Sequence, residues 1–311
     1  MAMECCASQN EVESNFYATL DRGYLSFNEY IHKHSGKVCL VGSGPSLAAT
    51  KEKLSGDICA INSAIGYLLD HDIVPKWAML WDASPLIEKF AVPHPDVTYL
   101  VASRCHPKVF ERLKDCKVVV WHAGGDYDII KIMNKPEVIA KQKYEEPLVN
   151  GGSAGITRGL FLVTALGYNE VHVFGADASY GLADATHVRG SLVPEKDFLA
   201  AIGDSPPIWF RTTPEWVAQV DEYKAIFSLM LQNNVKIEVH GTGMLPTMHE
   251  ILVAKLAHCG MEQFIKDMET QEKERMALDK MASDVVAKMT GNATVIPQPL
   301  EGVANVANAS H

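Results

Sequence analysis

Several motifs of metal and nucleotide enzymes are missing from this sequence of 311 residues. It contains no CxxC, HxxxH or HExxH pattern, and its seven cysteines form an odd, scattered set. Zinc sites are usually built from such closely spaced ligands, so the sequence predicts no zinc site. The phosphate-binding loop GxxxxGK(S/T) is also missing, which excludes a P-loop kinase.

Long apolar runs and excess positive charge are missing as well. No apolar stretch reaches the roughly 18 residues of a membrane span, and MAMECCASQNEVESN has neither the basic nor the apolar region of a signal peptide. The net charge of −10 argues against a nucleic-acid backbone as the main partner. Cys39 and Cys59 lie in predicted buried strands, which suits free thiols. We therefore expect a cytoplasmic protein that binds neither nucleic acid nor membrane.

A glycine-rich turn follows the first predicted strand. The apolar run Val38–Val41, bounded by glycine, predicts a strand buried on both faces. Glycines let the backbone approach a ligand closely, and proline suits the first turn of a helix. A strand, a glycine turn and a helix start favour a bound phosphate, although an ordinary strand-to-helix turn is the alternative. The residues predicted to bind phosphate or nucleotide here are Gly42, Ser43, Gly44, Pro45 and Ser46.

Strands and helices alternate along the remaining chain. Further strands are predicted over 57–65, 77–81, 97–102, 117–121, 171–174 and 235–239. One or two helices with a break at Gly23 are predicted over 11–34, and further helices over 47–54, 66–70, 155–166, 213–233, 248–258 and 261–289. This alternation predicts the α/β class, with a Rossmann-like, doubly wound, mostly parallel sheet and flanking N- and C-terminal helices.

Four regions follow from this pattern. They are an N-terminal helical segment over 1–35, a Rossmann-like domain over 36–245, C-terminal helices over 246–290 and a disordered tail over 291–311. Residues 126–148 are charged and predict a surface insertion or lid, whereas 178–210 are typical of a loop.

Polar residues follow the predicted strands at their carboxyl ends, where doubly wound sheets bind ligands. Asp82 and Asp177 at neighbouring strand ends could ligate Mg²⁺, hold sugar hydroxyls or cap turns. Asn62 could contact a base or ribose, or form a turn.

Arg104 is the best placed of the candidate phosphate clamps, which also include Arg158, Arg189 and Arg211. His187 is a candidate general base, so we predict catalytic roles for Asp82, Asp177, Arg104 and His187.

A second glycine turn opens the helix predicted to end at Leu166. It favours a second anionic group, with close helix packing as the alternative. The residues concerned are Gly151, Gly152, Ser153, Ala154 and Gly155. The first turn lacks the third glycine of GxGxxG, and no acidic residue ends the second strand, so a dinucleotide dehydrogenase is disfavoured.

Four blocks together resemble a known family: VGSGPSL, DICAINSAIGYLL, DIVPKWAMLWDAS and GGSAGITRGLFLVTALGYNEVHVFGADASY. Over about residues 36–245 the chain is similar to the archaeal-type 6-hydroxymethylpterin diphosphokinase-like family. The resemblance implies a Rossmann-like domain that transfers diphosphate from ATP, with Mg²⁺, to the hydroxymethyl group of a dihydropterin.

The same blocks are similar to bacterial sialyltransferases and flagellin-modifying transferases that use CMP-sugars. That resemblance implies that Gly42–Ser46, Asn62, Ser153 and Gly155 hold CMP. The sialyltransferase pattern places a His just before the helix that begins near Thr213, where this chain has Phe-Arg-Thr. A base would therefore be missing or supplied elsewhere, for instance by His187.

The sequence thus predicts a nucleotide-dependent transferase, most literally an ATP-dependent diphosphokinase acting on a hydroxymethylpterin-like alcohol. A CMP-sugar glycosyltransferase and a non-catalytic nucleotide-binding module remain as alternatives. The predicted cofactors are Mg²⁺ and a nucleotide, and the partners are that nucleotide and a small-molecule acceptor.

The last predicted helix carries an apolar stripe that a compact domain would not cover. Its members recur three and four residues apart, and they are Leu278, Met281, Val285 and Met289. We therefore predict a homo-oligomer with this segment in its interface. The alternative is a helix that bends back at the polar residues 269–275 and covers its own sheet.

Overall fold

A parallel sheet forms the centre of the fold. The computed structural model describes residues 7–124, 127–139, 147–181, 186–187, 197–203 and 206–290. Within this part of the chain the main sheet has nine strands. They are β1 (Leu25–Ser26), β2 (Lys37–Val41), β3 (Asp57–Ile61), β4 (Trp77–Leu80), β5 (Thr98–Ala102), β6 (Lys117–Ala123), β7 (Leu148–Val149), β8 (Glu170–Phe174) and β11 (Lys236–His240).

The order of the strands places a switch point beside β2. The sheet reads β1-β6-β5-β4-β3-β2-β8-β11, with β7 paired to β6, and every neighbouring pair is parallel. From β2 the chain builds outward through β3 to β6 and then returns to place β8 on the other side of β2. Ligands bind doubly wound sheets at such a reversal. The predicted doubly wound α/β fold is confirmed.

Helices precede, connect and follow the strands along the chain. They are α1 (Gln9–Leu20), α2 (Leu47–Thr50), α3 (Ser63–Leu69), α4 (Pro107–Arg112), α5 (Tyr127–Met133), α6 (Pro136–Ile139), α7 (Gly155–Leu166), α8 (Pro214–Gln232), α9 (Met244–Cys259) and α10 (Met261–Thr290). The predicted start of α8 is confirmed, because the Thr213 hydroxyl accepts a hydrogen bond from Trp216 N at 3.3 Å. The predicted end of α7 is confirmed too, since Gly167 has a φ of 111°.

The interior of the sheet is buried on both faces, as continuous apolar strands predict. Residues 38–41, 58–61, 77–80 and 99–102 are all buried. Helix α7 lies close against this layer, because a Cβ added to Gly159 would stand 2.9 Å from Ile61 Cδ1 and 3.0 Å from Leu40 Cδ1. This packing places the start of α7 at the carboxyl edge of the sheet.

Three local predictions are wrong. The strand predicted over 57–65 ends at Ile61, because Asn62 turns the chain with φ 48° and ψ −119° and α3 begins at the next residue. Within 11–34, α1 ends at Leu20, ahead of the break predicted at Gly23, but Leu25–Ser26, predicted as helix, pairs with β6 instead. Within 178–210, the described residues form an antiparallel hairpin of β9 (Phe198–Ile202) and β10 (Ile208–Thr212).

The predicted surface insertion over 126–148 is also wrong for its described residues. Ile129, Ile132 and Val138, on α5 and α6, are buried in one cluster with Val12 and Phe16 of α1. Burying these side chains removes apolar surface from water, which makes the segment part of the core.

The chain packs as two compact units, Met1–Leu252 and Val253–His311. In the second unit, Lys255 Nζ lies 3.1 Å from Asp267 Oδ2. The predicted stripe on α10 is exposed where its side chains are described, with Leu278 and Met281 each 65% exposed. The homo-oligomer stays a prediction, and the tail predicted over 291–311 lies outside the described residues.

None of the helices that the structure describes combines the length and the apolar character that crossing a membrane requires.

Candidate functional site

The backbone of the first glycine turn packs closely against the backbone at the end of β8. Gly42 N donates to Phe174 O and Gly44 N donates to Gly175 O, both at 2.8 Å. A Cβ on Gly42 would stand 2.6 Å from Gly175 O, and one on Gly44 would stand 2.7 Å from Asp177 Oδ1. The two glycines are therefore needed for backbone packing at the switch point, and their N–H groups already have partners.

Asp177 lies over the start of α2. Ser46 N donates to its Oδ2 at 2.7 Å, and the Ser46 hydroxyl donates to its Oδ1. The side chain is only 4% exposed, and burial raises the pKa of Asp177 to about 6 although the bonds from Ser46 favour the ionised form. A protein carboxylate thus occupies the helix N-terminus at which a phosphate was predicted.

The second glycine turn is capped in a similar way by α8. Ser153 N and Ser153 Oγ donate to the two carboxylate oxygens of Glu222 at 2.9 and 2.5 Å. Thr157 Oγ1 lies 3.3 Å from Glu222 Oε2, and a Cβ on Gly152 would stand 2.5 Å from the same oxygen. The sequence reasoning missed Glu222, because nothing in the sequence distinguishes it from other acids on α8.

Asp82 and Asp177 do not follow neighbouring strands, so that expectation is wrong. Strands β3 and β2 lie between β4 and β8, and three strand spacings amount to about 14 Å. Mg²⁺ holds its ligands at about 2.1 Å, so the pair does not fit one ion ligated directly by both carboxylates. Asp82 Oδ1 accepts a hydrogen bond from Ser84 N at 3.0 Å, the geometry of an Asx turn.

Asn62 is strained and carries an unsatisfied polar atom. Its φ of 48° and ψ of −119° are unusual for a residue with a side chain. Its Oδ1 is buried and has no hydrogen-bond partner within the described part of the chain. Buried acceptors without a partner cost free energy, and strained residues concentrate where ligands bind. Asn62 therefore has the features of a ligand contact.

Trp81 lies at the same edge of the sheet as Asn62, and two cationic side chains lie near its ring. Strands β3 and β4 are neighbours, with Ile61 opposite Met79, so Asn62 and Trp81 emerge at the same edge. The guanidinium carbons of Arg104 and Arg158 lie 5.8 and 5.4 Å from the Trp81 ring centroid. The partly exposed Arg104 and Trp81 suit an anionic ligand with an aromatic ring, and the buried Arg158 adds a second positive charge nearby.

Arg158 is held firmly inside the protein. Its Nη1 donates to Gly124 O at 2.7 Å and to Val149 O at 3.0 Å, and the residue is 5% exposed. These bonds join α7 to the ends of β6 and β7. Gly155 lets the start of the same helix lie close to Trp81, because a Cβ at position 155 would stand 3.8 Å from Trp81 Nε1.

The histidines contribute less to this region. His122 is buried beside the Phe16 ring, its Nδ1 lies 2.9 Å from Ser103 Oγ, and burial lowers its pKa to about 4. His187 Nδ1 lies 3.1 Å from Thr186 Oγ1, and burial lowers the pKa of His187. Residues 182–185 and 188–196, which include Arg189, lie outside the described residues. The role of His187 as a base stays a prediction.

The predicted site residues therefore fall into two groups. One contains Gly42–Ser46 and Asp177 at the switch point between β2 and β8. The other contains Asn62 and Arg104 near Trp81, joined by the start of α7 at Gly155. Arg211, a lesser candidate, lies on the β9–β10 hairpin over the Tyr180 ring.

A search of the curated proteins finds no match. Among solved structures, the MAf glycosyltransferase from Magnetospirillum magneticum AMB-1 is similar at a TM-score of 0.49 and 16% identity. The alignment covers 84% of this chain and 44% of that one, so this chain spans less than half the length of that protein.

The sequence profile of one family matches residues 14–182, which is more than half of the chain. That region contains β2 and its glycine turn, Asn62, Trp81, Arg104 and the whole of α7. The resemblance inferred from the four sequence blocks is confirmed. The chain belongs to the 6-hydroxymethylpterin diphosphokinase MptE-like family, a family of the transferase type.

Proposed function

We propose that the protein transfers a diphosphoryl group from ATP to an alcohol of the hydroxymethylpterin type. The observation that carries the proposal is the cluster of Asn62, Trp81, Arg104 and Arg158 at the carboxyl edge of the sheet. Membership of the diphosphokinase-like family supports the choice of reaction.

The charges in this cluster suit a polyphosphate. Phosphoryl transfer depends mainly on positioning and on neutralising the charge of the transferred group. Guanidinium groups bind phosphate oxygens through charge-assisted hydrogen bonds, and Arg104 and Arg158 place two such groups within 6 Å of one indole ring. The buried Oδ1 of Asn62 would accept a hydrogen bond from a ribose hydroxyl or an exocyclic amine.

The reaction balances as a single displacement. The acceptor hydroxyl oxygen forms a bond to the β-phosphorus, and the bond from that phosphorus to the α,β-bridging oxygen breaks, which releases AMP. The hydroxyl proton passes to a base, for which His187 is the candidate, because burial favours its neutral form. A bound Mg²⁺ would neutralise phosphate charge, and Asp82 is the residue that would contact it together with substrate oxygens.

The discriminating experiment is a binding and turnover comparison. ATP, CMP and a CMP-sugar are titrated into the full chain with and without Mg²⁺, and AMP release is measured with a 6-hydroxymethyl-dihydropterin as acceptor. We expect ATP to bind and AMP to form. Selective binding of CMP would replace the proposal by a CMP-sugar glycosyltransferase, and ATP binding without turnover would indicate a non-catalytic module.

Arg104→Gln tests the cationic cluster. Losing a charge-assisted hydrogen bond costs about 1.5–3 kcal/mol, so we expect ATP affinity to fall by roughly 10- to 100-fold. The control is Arg112→Gln at the end of α4, whose guanidinium is 4.0 Å from Glu88. Equal ATP affinity in both variants would remove Arg104 from the site.

Asn62→Gly separates binding from stability. Glycine adopts the observed φ of 48° without steric cost, so the melting temperature should stay level or rise. The variant loses the buried acceptor, and one hydrogen bond corresponds to a roughly five- to tenfold loss of ATP affinity. A variant that melts earlier but binds ATP normally would show that Asn62 has only a structural role.

A further inference from the structure

Three potential metal ligands meet at the edge of the sheet opposite to β1. His172 lies on β8, and Glu238 and His240 lie on β11. In the parallel register Glu238 is opposite His172 and His240 is opposite Phe174. Because paired residues of neighbouring strands share a face and side chains alternate along a strand, all three side chains lie on one face. None of them belongs to the site described above.

The ligand atoms are spaced as a small cation requires. His172 Nδ1 is 2.9 Å from His240 Nε2, and Glu238 Oε2 is 3.5 Å from the former and 3.9 Å from the latter. A tetrahedral ion with ligands at about 2.0–2.1 Å separates neighbouring ligand atoms by about 3.3 Å. The observed distances bracket that value, so an ion fits after side-chain movements of a few tenths of an ångström.

Glu170 orients the imidazole of His172 by binding its other ring nitrogen. Its Oε1 accepts a hydrogen bond from His172 Nε2 at 2.8 Å. This bond keeps the proton on Nε2 and leaves the lone pair of Nδ1 directed at the cluster. A carboxylate bound to the far nitrogen of a ligating imidazole is the usual second contact around protein-bound zinc.

Charge and exposure also suit a bound cation. Lys236 Nζ lies 2.7 Å from Oε1 of Glu238, while Oε2 of the same carboxylate faces the imidazoles. The side chains of His172, His240 and Glu238 are 12%, 24% and 40% exposed, so an ion can enter and a water can complete its coordination. In the absence of an ion, His240 Nε2–H donates to His172 Nδ1. Binding needs only the move of that proton to the other nitrogen of His240.

We propose that His172, Glu238 and His240 bind one divalent transition-metal ion of the zinc type and clamp β11 to β8. Neutral imidazole nitrogens with one carboxylate oxygen are ligands that zinc accepts. The clamp also positions the loop that follows His240. A Cβ on Gly241 would stand 2.2 Å from Ser46 Oγ, and one on Gly243 would stand 2.5 Å from Asp177 O. The ion would therefore hold the strand from which this loop reaches the switch point.

The test is a titration of untagged, chelator-treated full-length protein with Zn²⁺, followed by calorimetry and thermal melting. We expect one ion per chain and a higher melting temperature. His172→Gln and His240→Gln should each weaken binding by more than 100-fold, and Glu170→Gln should weaken it by roughly 10- to 100-fold through loss of positioning. His258→Gln, which removes an exposed histidine elsewhere, is the control and should bind normally.

Co²⁺ substitution in the unmutated protein gives an independent answer, which matters if a variant does not fold. Histidine and carboxylate ligands give visible d–d bands without a thiolate charge-transfer band. Such a spectrum, at one ion per chain, supports the assignment. A thiolate band would assign the ion to cysteines and overturn the proposal. Failure to bind Zn²⁺, or full affinity in His172→Gln and His240→Gln, would overturn it as well.

Discussion

The two glycine turns of this protein have similar sequences and are held in different ways. Gly42–Ser46 leads from β2 into α2, and Gly151–Gly155 leads into α7. Each helix start receives a carboxylate from another element, Asp177 in the first case and Glu222 in the second. Asp177 is almost fully buried, whereas Glu222 is half-buried on the side of a helix.

The difference lies in what surrounds each turn. In the first turn, backbone meets backbone, because Gly42 and Gly44 pack against the carbonyl of Gly175. In the second, Gly152 packs against the side chains of Thr157 and Glu222. Backbone in a sheet cannot move without breaking its ladder, but a glutamate side chain can rotate. The first turn is therefore held by backbone contacts, whereas the second is held by the side chains of Thr157 and Glu222.

The largest expected loss in the free energy of unfolding comes from a substitution in the first turn. Gly42→Ala places a Cβ 2.6 Å from Gly175 O, and overpacking of this kind costs about 3 kcal/mol. Gly152→Ala should cost no more than this, because Glu222 Oε2 can rotate away, although the new Cβ would also stand 2.2 Å from Thr157 Oγ1 and 2.5 Å from Thr157 Cβ in the first turn of α7. The free energies of unfolding come from chemical denaturation. The opposite ranking would show that the second turn is the more rigid of the two.

A smaller effect is the pH dependence of the free energy of unfolding that comes from Asp177, the buried carboxylate at the first turn. Burial raises the pKa of Asp177 from 3.8 to about 6, so the folded chain binds its proton more tightly than the unfolded chain does. The contribution of Asp177 to the free energy of unfolding is thus largest below about pH 4, falls as pH rises from about 4 to about 6, and is constant above that. At about 1.4 kcal/mol per pKa unit, the loss is roughly 3 kcal/mol as an upper bound.

Asp177→Asn should remove this pH dependence, because the amide keeps the shape of the protonated acid and does not titrate. Ser46→Ala is the control. It leaves the carboxylate buried without the hydroxyl that lowers its pKa, so the decline should persist and extend to higher pH. Parallel stability curves for the unmutated protein and Asp177→Asn between pH 4 and 7 would contradict the assignment.

The smallest expected effect is on ATP affinity and concerns the carboxylate of Glu222 at the second turn. Glu222→Gln removes a negative charge from the N-terminus of α7, where an anion gains about 0.3–1 kcal/mol. ATP affinity should therefore rise by roughly two- to fivefold. Glu215→Gln, in the exposed first turn of the same helix, is the matched control. A fall in ATP affinity in Glu222→Gln alone would mean that the glutamate itself holds the ligand.

Local pattern was a good guide to single elements and a poor guide to their partners. The apolar run of β2, the cap of α8 at Thr213 and the glycine end of α7 were predictable, since each depends on residues close in sequence. The hairpin of β9 and β10 was not, because its Leu199 and Trp209 are exposed and show no buried alternation.

The sequence by itself determined the alternation of strands and helices and the place of each glycine turn. Tertiary structure alone decided which strand ends meet. It inserted β8 beside β2, which separates Asp177 from Asp82 and joins it to Ser46. It also brought Glu222 to Ser153 across 69 residues and His240 to His172 across 68. Periodicity reports which face of an element is buried, whereas strand order depends on the packing of the whole sheet.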